Sequence, residues 1–254
     1  MVVLGINFSV LGDKKFIHRL FLVTSLSNEK EVIARKFLEI TNASKKQSFL
    51  DIGCGTGVIT SIIAKQVGCV TALDCSSKML SLVRKKVPNA RLIRDDWNYI
   101  ELKEKFDLIL ASYLLEYFDV KDKVSVVKKM FDCLNPGGKL VIVMNSGSNQ
   151  YFHYLTTLFE TVKKVPEPHG AANVFAETLK SAGFKLKLFV DTCEFHIPSM
   201  VEMMKISELF FEATENQILE AEDDLKEYIE KNMIVNKEVN FECDFGFILI
   251  EREK

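Results

Sequence analysis

Proline and glycine are scarce in this chain, with 5 and 12 residues among 254, and tryptophan occurs once. That composition excludes collagen-like and low-complexity architectures. No stretch approaches the roughly 20 consecutive apolar residues that a helix needs to span a bilayer. None of the six cysteines (Cys54, Cys69, Cys75, Cys133, Cys193, Cys243) falls in a CxxC pair, so a thiolate zinc site lacks its motif. They lie scattered in apolar runs, as reduced core thiols do. The four histidines, His18, His153, His169 and His196, are widely separated, and no metal-ligand cluster is visible. Met1–Val10 is apolar but short, with no basic leader and no small-residue cleavage pattern. The expected setting is therefore cytoplasmic. A formal net charge of -2 gives no overall pull toward nucleic acid or an anionic membrane.

What is present is an ordinary globular balance, 48% hydrophobic and 27% charged, in a chain long enough to bury a full core as one domain with room for an insert. Asp13–Ile40 reads as helical, with Phe16, Leu20 and Val23 on one face and Ser27 able to cap a second helix through Val32, Phe37 and Leu38. The rhythm then changes. Short apolar runs at Ser48–Ile52, Val70–Leu73, Arg91–Arg94, Phe106–Ala111 and Lys139–Met144 alternate with helical stretches at Val58–Gln66, Ser77–Lys86 and Val120–Leu134. That alternation is the mark of a parallel sheet covered on both faces. A helix over Asn173–Ala182, a strand over Phe184–Val190 and a last strand over Asp244–Glu251 follow. The polar, helical stretch Ser199–Asn232 between those strands is far longer than an ordinary loop and reads as an insert. The expectation is a single α/β domain over 1–254. It has a doubly wound, seven-stranded, mostly parallel sheet, a helical cap at 1–45 and a helical insert at 191–240 that together form a lid.

Phe49-Leu50-Asp51-Ile52-Gly53-Cys54-Gly55-Thr56-Gly57 runs a strand straight into alternate glycines and then a helix. Such glycines permit a tight turn and let a ligand approach the backbone, while the helix start offers free N–H groups. Position 58 is valine, so the spacing is GxGxG rather than the dinucleotide GxGxxG. Asp74 ends the second strand about 20 residues past the loop, where a carboxylate can accept both ribose hydroxyls of a nucleoside. A strand-end aspartate can also cap a helix, a role that Ser76 or Ser77 is able to fill instead.

Across roughly 48–145 the sequence resembles the class I S-adenosylmethionine-dependent methyltransferases. The resemblance rests on FLDIGCGTG, on ALDCSSKML, on Arg94-Asp95-Asp96-Trp97, on Phe106–Ala111 and on Leu134-Asn135-Pro136-Gly137-Gly138 before the fifth strand. It implies S-adenosylmethionine as cofactor, with Asp51, Gly53, Gly55 and Gly57 at its methionine end and Asp74, with Cys75 beside it, at the ribose. Met79, Asp96 and Trp97 would surround the adenine, and Ala111 and Ser112 would lie near the sulfonium. Asp95 competes with Asp96 for the adenine amino group, and Trp97 also reads as a core aromatic.

The layout is also similar to the histamine N-methyltransferase family: a helical N-terminus, Asn145-Ser146-Gly147-Ser148 after the fifth strand, and a long insert before a final Phe-Ile-Leu-Ile strand. By that resemblance Glu29 would hold a substrate amine; its structural alternative is a first-turn acid stabilising a helix dipole. Tyr113 stands where that family has a glutamine, and Glu242 or Cys243 where it has an asparagine, which departs from histamine itself. Glu116 and Tyr117 follow the fourth strand and are further pocket candidates. The reading is a methyltransferase for a small-molecule acceptor, most simply an amine nitrogen, with Glu29 and Tyr113 at the acceptor and no metal. An O-methyltransferase, a modifier of macromolecules and a non-catalytic methyltransferase-like scaffold are the alternatives. The acidic stretch Glu220, Glu222, Asp223 and Asp224 argues against a nucleic-acid partner and otherwise reads as a solvated helix face.

Overall fold

A computed structural model describes residues 25–146, 171–199, 222–235 and 238–253. The helical expectation over Phe16, Leu20 and Val23, residues His18, His153 and His169, and most of the stretch before Glu222 lie outside the described residues. The chain divides into two compact units, one of 1–29, 146–168 and 192–244, the other of 30–145, 169–191 and 245–254.

The described residues form the sheet that the apolar runs imply. In chain order come α1 (Glu29–Thr41), β1 (Ser48–Ile52), α2 (Val58–Ile63), β2 (Cys69–Asp74), α3 (Ser77–Lys86), β3 (Arg91–Arg94) and β4 (Phe106–Ser112). After two short 3₁₀ turns follow α4 (Lys123–Asp132), β5 (Leu134–Asn145), α5 (Ala172–Ser181) and β6 (Leu186–Ile197), then α6 (Glu222–Asn232), β7 (Ile234–Val235) and β8 (Glu238–Glu251). The strands line up as β3-β2-β1-β4-β5-β8-β6, with β7 pairing off β8. The first five are parallel, and β8 runs antiparallel to β5. β1 and β4 are buried almost throughout because helices cover both faces. The strand order reverses between β1 and β4, so a crevice opens beyond their carboxyl ends.

Two contacts fix α1 on this sheet. Phe37 is fully buried, its ring 5.4 Å from that of Phe49 on β1, and the Lys139 ammonium donates to the Thr41 carbonyl at 2.9 Å. At the opposite end of the strands from the crevice, Asp107 accepts from the Ser48 N–H at 2.8 Å, the Ser48 hydroxyl at 2.9 Å and the Asn135 amide at 2.8 Å. Burial raises its pKa, but these bonds outweigh it and hold the carboxyl below its ordinary value. Asp107 therefore staples β1, β4 and β5 together, a structural duty for part of the fourth-strand motif.

Strand ends differ from the expectation where packing extends them. β5 begins at Leu134, not Lys139, because the Pro-Gly-Gly turn is drawn into the sheet: the register shifts between Phe106 and Leu108, and Gly137 N–H donates to the Arg252 carbonyl at 2.9 Å. β6 runs on to Ile197, and β8 starts at Glu238. Cys193, Phe195 and Ile197, like Val239, Phe241 and Cys243, alternate buried with exposed neighbours. The edges of the expected helical insert at 191–240 are thus strand, with helix confirmed over Glu222–Asn232.

The smaller unit is held by those alternating residues. Phe195 stacks on Phe241 with ring centroids 4.8 Å apart, and the Thr192 hydroxyl donates to Asp244 at 2.7 Å. Ser27, expected as a helix cap, instead forms a bridge with Phe195.

Gly57 is the point where α2 meets α3. Its φ is +74°, and a Cβ there would lie 2.7 Å from Val83 Cγ2 and 3.2 Å from the Val83 backbone. Left-handed strain and forced overpacking add, so Gly57→Ala is expected to lower stability by about 2–4 kcal/mol, checked by urea denaturation.

Candidate active site

Alternate glycines fold the segment after β1 back against β2. Gly53 and Cys54 both donate backbone N–H to the Leu73 carbonyl, at 2.8 and 3.1 Å, and Gly57 N–H donates to the Cys54 carbonyl at 3.0 Å. Gly55 has φ +51°, and a Cβ added there would meet nothing within 4 Å. The loop is packed tightly at Gly57 and faces open space at Gly55.

Asp74, at the tip of β2, holds this loop. One carboxylate oxygen accepts Gly55 N–H at 2.9 Å and the other accepts Ser76 N–H at 2.8 Å. Burial raises its pKa, opposed by these two bonds. A carboxylate offers about four acceptor positions, so each oxygen keeps one for a ligand hydroxyl. The cap of α3 is Ser76, whose hydroxyl accepts from Met79 N–H, and this leaves Asp74 its site role.

Asp51, the penultimate residue of β1, is 3% exposed and accepts the Thr60 hydroxyl proton at 2.6 Å. Burial pushes its pKa up to about 7; the Thr60 bond opposes, the charge of Asp74 adds, and that of Lys30 opposes. Thr60 and Lys30 escaped the sequence reading: a threonine inside a helix and a lysine at a helix start have no motif to mark them.

At the tip of β4, Ala111 is fully buried, and the Ser112 hydroxyl is buried with no hydrogen-bond partner among the described residues. Tyr113 adopts a left-handed backbone, φ 52°, and donates its N–H to the Val143 carbonyl at 3.0 Å. The Lys30 ammonium lies 5.2 Å from the centre of its ring. Burial pushes the Tyr117 hydroxyl up to about 12, with Glu116, Asp74 and Cys75 contributing negative charge.

Cys75 is exposed as a residue while its thiol is partly buried, and that burial, then Asp74 and Asp96, push the thiol up. Asp96 is half-buried, next to the exposed Asp95. Its carboxylate accepts Asn98 N–H at 2.8 Å and the Asn98 amide at 3.0 Å. Met79, on α3, is 3% exposed. Trp97 is buried in the cluster that includes Leu115, Phe118 and Val126, with Lys129 5.1 Å from its ring centre, and its indole N–H has no acceptor among the described residues. The core reading of Trp97 accounts for that burial. Glu29 begins α1 and belongs to the smaller unit, as do the exposed Glu242 and buried Cys243 of β8.

This arrangement, a glycine turn tied to a strand-tip acid at the point where a parallel sheet reverses order, is matched over residues 49–138 by the family described as methyltransferase domain. Residues 49–138 match a methyltransferase domain. The domain is similar to a malonyl-[acyl-carrier protein] O-methyltransferase of Priestia megaterium, 32% identical over 42% of this chain and 40% of that protein. It is also similar to the ubiquinone/menaquinone biosynthesis C-methyltransferase UbiE of Wigglesworthia glossinidia brevipalpis, 28% identical over 63% of this chain and 64% of that protein. The chain thus spans less than two thirds of either relative. A solved structure from Bacillus halodurans C-125 shares the fold, with a TM-score of 0.64 at 18% identity over 87% of this chain and 99% of that one. The resemblance to class I S-adenosylmethionine-dependent methyltransferases is borne out by the domain match and the shared fold, and S-adenosylmethionine is the cofactor of that class. The resemblance to histamine N-methyltransferase finds no support in these relatives.

Within the methyltransferase domain, the residues present fit that cofactor. The open face at Gly55, the spare acceptor positions of Asp74 and the unpartnered Ser112 hydroxyl all lie at the carboxyl ends of β1, β2 and β4. Among the described residues no helix is long and apolar enough to cross a membrane.

Proposed function

We propose that this chain transfers a methyl group from S-adenosylmethionine to a small-molecule acceptor, with an amine nitrogen as the acceptor atom. The observation that carries the reading is Asp74 tied to Gly55 beside open space. In this assignment Asp74 takes the ribose hydroxyls, with Cys75 beside it, and Met79 and Asp96 flank the adenine. Asp51, Gly53, Gly55 and Ser112 line the amino-acid end, while Gly57 holds the turn and Ala111 backs the site. When bound, the cofactor supplies a sulfonium-activated methyl group, so the chemistry of the transfer belongs to it.

The task left to the protein is to hold an acceptor lone pair in line with the carbon–sulfur bond and to exclude water. An amine needs only to arrive unprotonated, whereas a hydroxyl acceptor more often requires a base. Glu29 is assigned to an acceptor amine, and Tyr113 to the wall of the acceptor site. Residues 1–45 and 191–240 are assigned to a lid, and the six free cysteines suit a cytoplasmic setting. A second reading, transfer to oxygen or carbon, is favoured by the names of the two relatives, one an O- and the other a C-methyltransferase.

The test is S-adenosylhomocysteine production across matched panels of small amines, phenols and carboxylic acids. Turnover confined to amines supports the first reading, and turnover confined to the other panels replaces it with the second. Calorimetry with S-adenosylmethionine separates both from a binding scaffold, since absent cofactor binding ends the enzyme reading. Glu29→Gln is expected to raise the KM for an amine several-fold while thermal stability holds; unaltered kinetics would remove Glu29 from the site.

A further inference from the structure

We propose that β6 is a docking edge for a second copy of this chain, the two β6 strands pairing antiparallel about Phe189 so that one sheet runs through both molecules. Two strands, β5 and β8, separate this edge from the crevice at β1 and β4. The pairing therefore stands apart from the methyl acceptor and from the cofactor site.

The outer strands of a sheet expose unpaired N–H and C=O groups, and proteins ordinarily blunt such edges. β3, at one end, is four residues long with an arginine at each terminus. β6, at the other, runs over twelve residues, and no strand lies beyond it among the described residues. Its last part is covered. Ser27 bridges Phe195, and His196 donates its N–H to the Leu26 carbonyl at 2.9 Å. That cover stops short of Leu186–Val190, where Leu188 is 38% and Val190 57% exposed. Leu188 lies on the face of the sheet that α5 packs against, since a Cβ added at Gly246 would meet both Ala172 and Leu188. Val190, two residues on, shares that face. Two large apolar side chains at alternate positions of an open edge mark a contact surface.

The charges of the strand select its partner. A two-fold axis at Phe189 sets Leu188 opposite Val190 of the second copy and Lys187 opposite Asp191 of the second copy, each pair occurring twice. Apolar and opposite-charge pairs directly across two strands are favourable. With the axis at Leu188, Lys187 would face Phe189; with it at Val190, Phe189 would face Asp191. Of these three registers, the one about Phe189 matches the charges. Lys187 lies 3.7 Å from Glu251, and Asp191 lies 3.4 Å from Arg35. Asp191 would thus stand between Arg35 and the incoming lysine. An edge lysine normally discourages pairing. Here the acid that answers it is four residues along the same strand, which favours a second copy over an unrelated edge.

Sedimentation velocity over a concentration series tests this. Wild type is expected to dimerise with a Kd below about 1 mM. Lys187→Glu creates two like-charge pairs with Asp191, and Val190→Lys places two ammoniums in the apolar contact. Each is expected to weaken the dimer roughly tenfold or more. Asp191→Lys repels itself in the same way through Lys187. Mixing Lys187→Glu with Asp191→Lys is expected to restore a dimer, because every charge pair across the mixed interface is then opposite in sign. Roles confined to one chain would give no such rescue.

Wild type that stays monomeric throughout the series overturns the proposal, and the edge then belongs to another occupant. A wild-type dimer that either Lys187→Glu or Val190→Lys leaves unweakened overturns it too, as does a mixture of the two charge variants that remains monomeric. Circular dichroism melts verify that each variant is folded. Should Asp191→Lys fail to fold for want of its Arg35 bond, Lys187→Glu and Val190→Lys decide by themselves.

Discussion

Asp74→Ala is expected to weaken S-adenosylhomocysteine binding by two to four orders of magnitude. The carboxylate has one oxygen on Gly55 N–H and the other on Ser76 N–H, which leaves each oxygen a further acceptor position. Two hydrogen bonds from ribose hydroxyls to an ionised acceptor contribute about 3–6 kcal/mol together, and each 1.4 kcal/mol is tenfold in affinity. Alanine loses that and also releases Gly55, so the loop loses its tie to β2. Asp74→Asn separates the two effects: its amide oxygen can still accept Gly55 N–H, while the negative charge is gone. Calorimetry on all three proteins, with circular dichroism to verify the fold, should order the affinities as wild type, then Asn, then Ala. Equal affinity in wild type and a folded Asp74→Ala would remove this residue from the cofactor site.

The second large effect is in pH. Asp51 has its carboxyl raised from 3.8 to about 7, chiefly by burial. An unfolded chain ionises this group near 4, while the folded protein keeps its proton until about 7. Between those values the folded state binds more protons, so the contribution of Asp51 to stability is full below pH 4. It declines as pH rises and is lost above about 7. The swing is at most about 4 kcal/mol. Asn keeps an acceptor for the Thr60 hydroxyl and carries no charge. Asp51→Asn is therefore expected to melt well above wild type at pH 8 and near it at pH 4–5. Ligand binding should run the other way, because an ammonium favours the ionised carboxylate. Wild-type affinity for S-adenosylhomocysteine should rise between pH 6 and 8, and that of Asp51→Asn should stay flat. Parallel melting curves at both pH values would show that Asp51 does not carry this titration.

Some of this was legible in the chain itself. β1, β3 and α3 have the bounds that their apolar runs and caps indicate. The glycine turn and Asp74 were equally readable, since positive φ and a strand-tip carboxylate demand particular residue types. The continuation of β6 through Cys193, Phe195 and Ile197 was written as period-two alternation, yet the polar stretch beyond it outweighed that signal.

Local pattern alone determined the doubly wound class, the order of its motifs, and the glycine turn with the strand-tip Asp74. Only tertiary structure decided that Trp97 is buried in the core cluster and that the Lys30 ammonium lies against the Tyr113 ring. The reason is distance along the chain. A turn or a buried strand is specified by adjacent residues, whereas the lysine at position 30 meets a ring 83 residues away that the fold brings beside it.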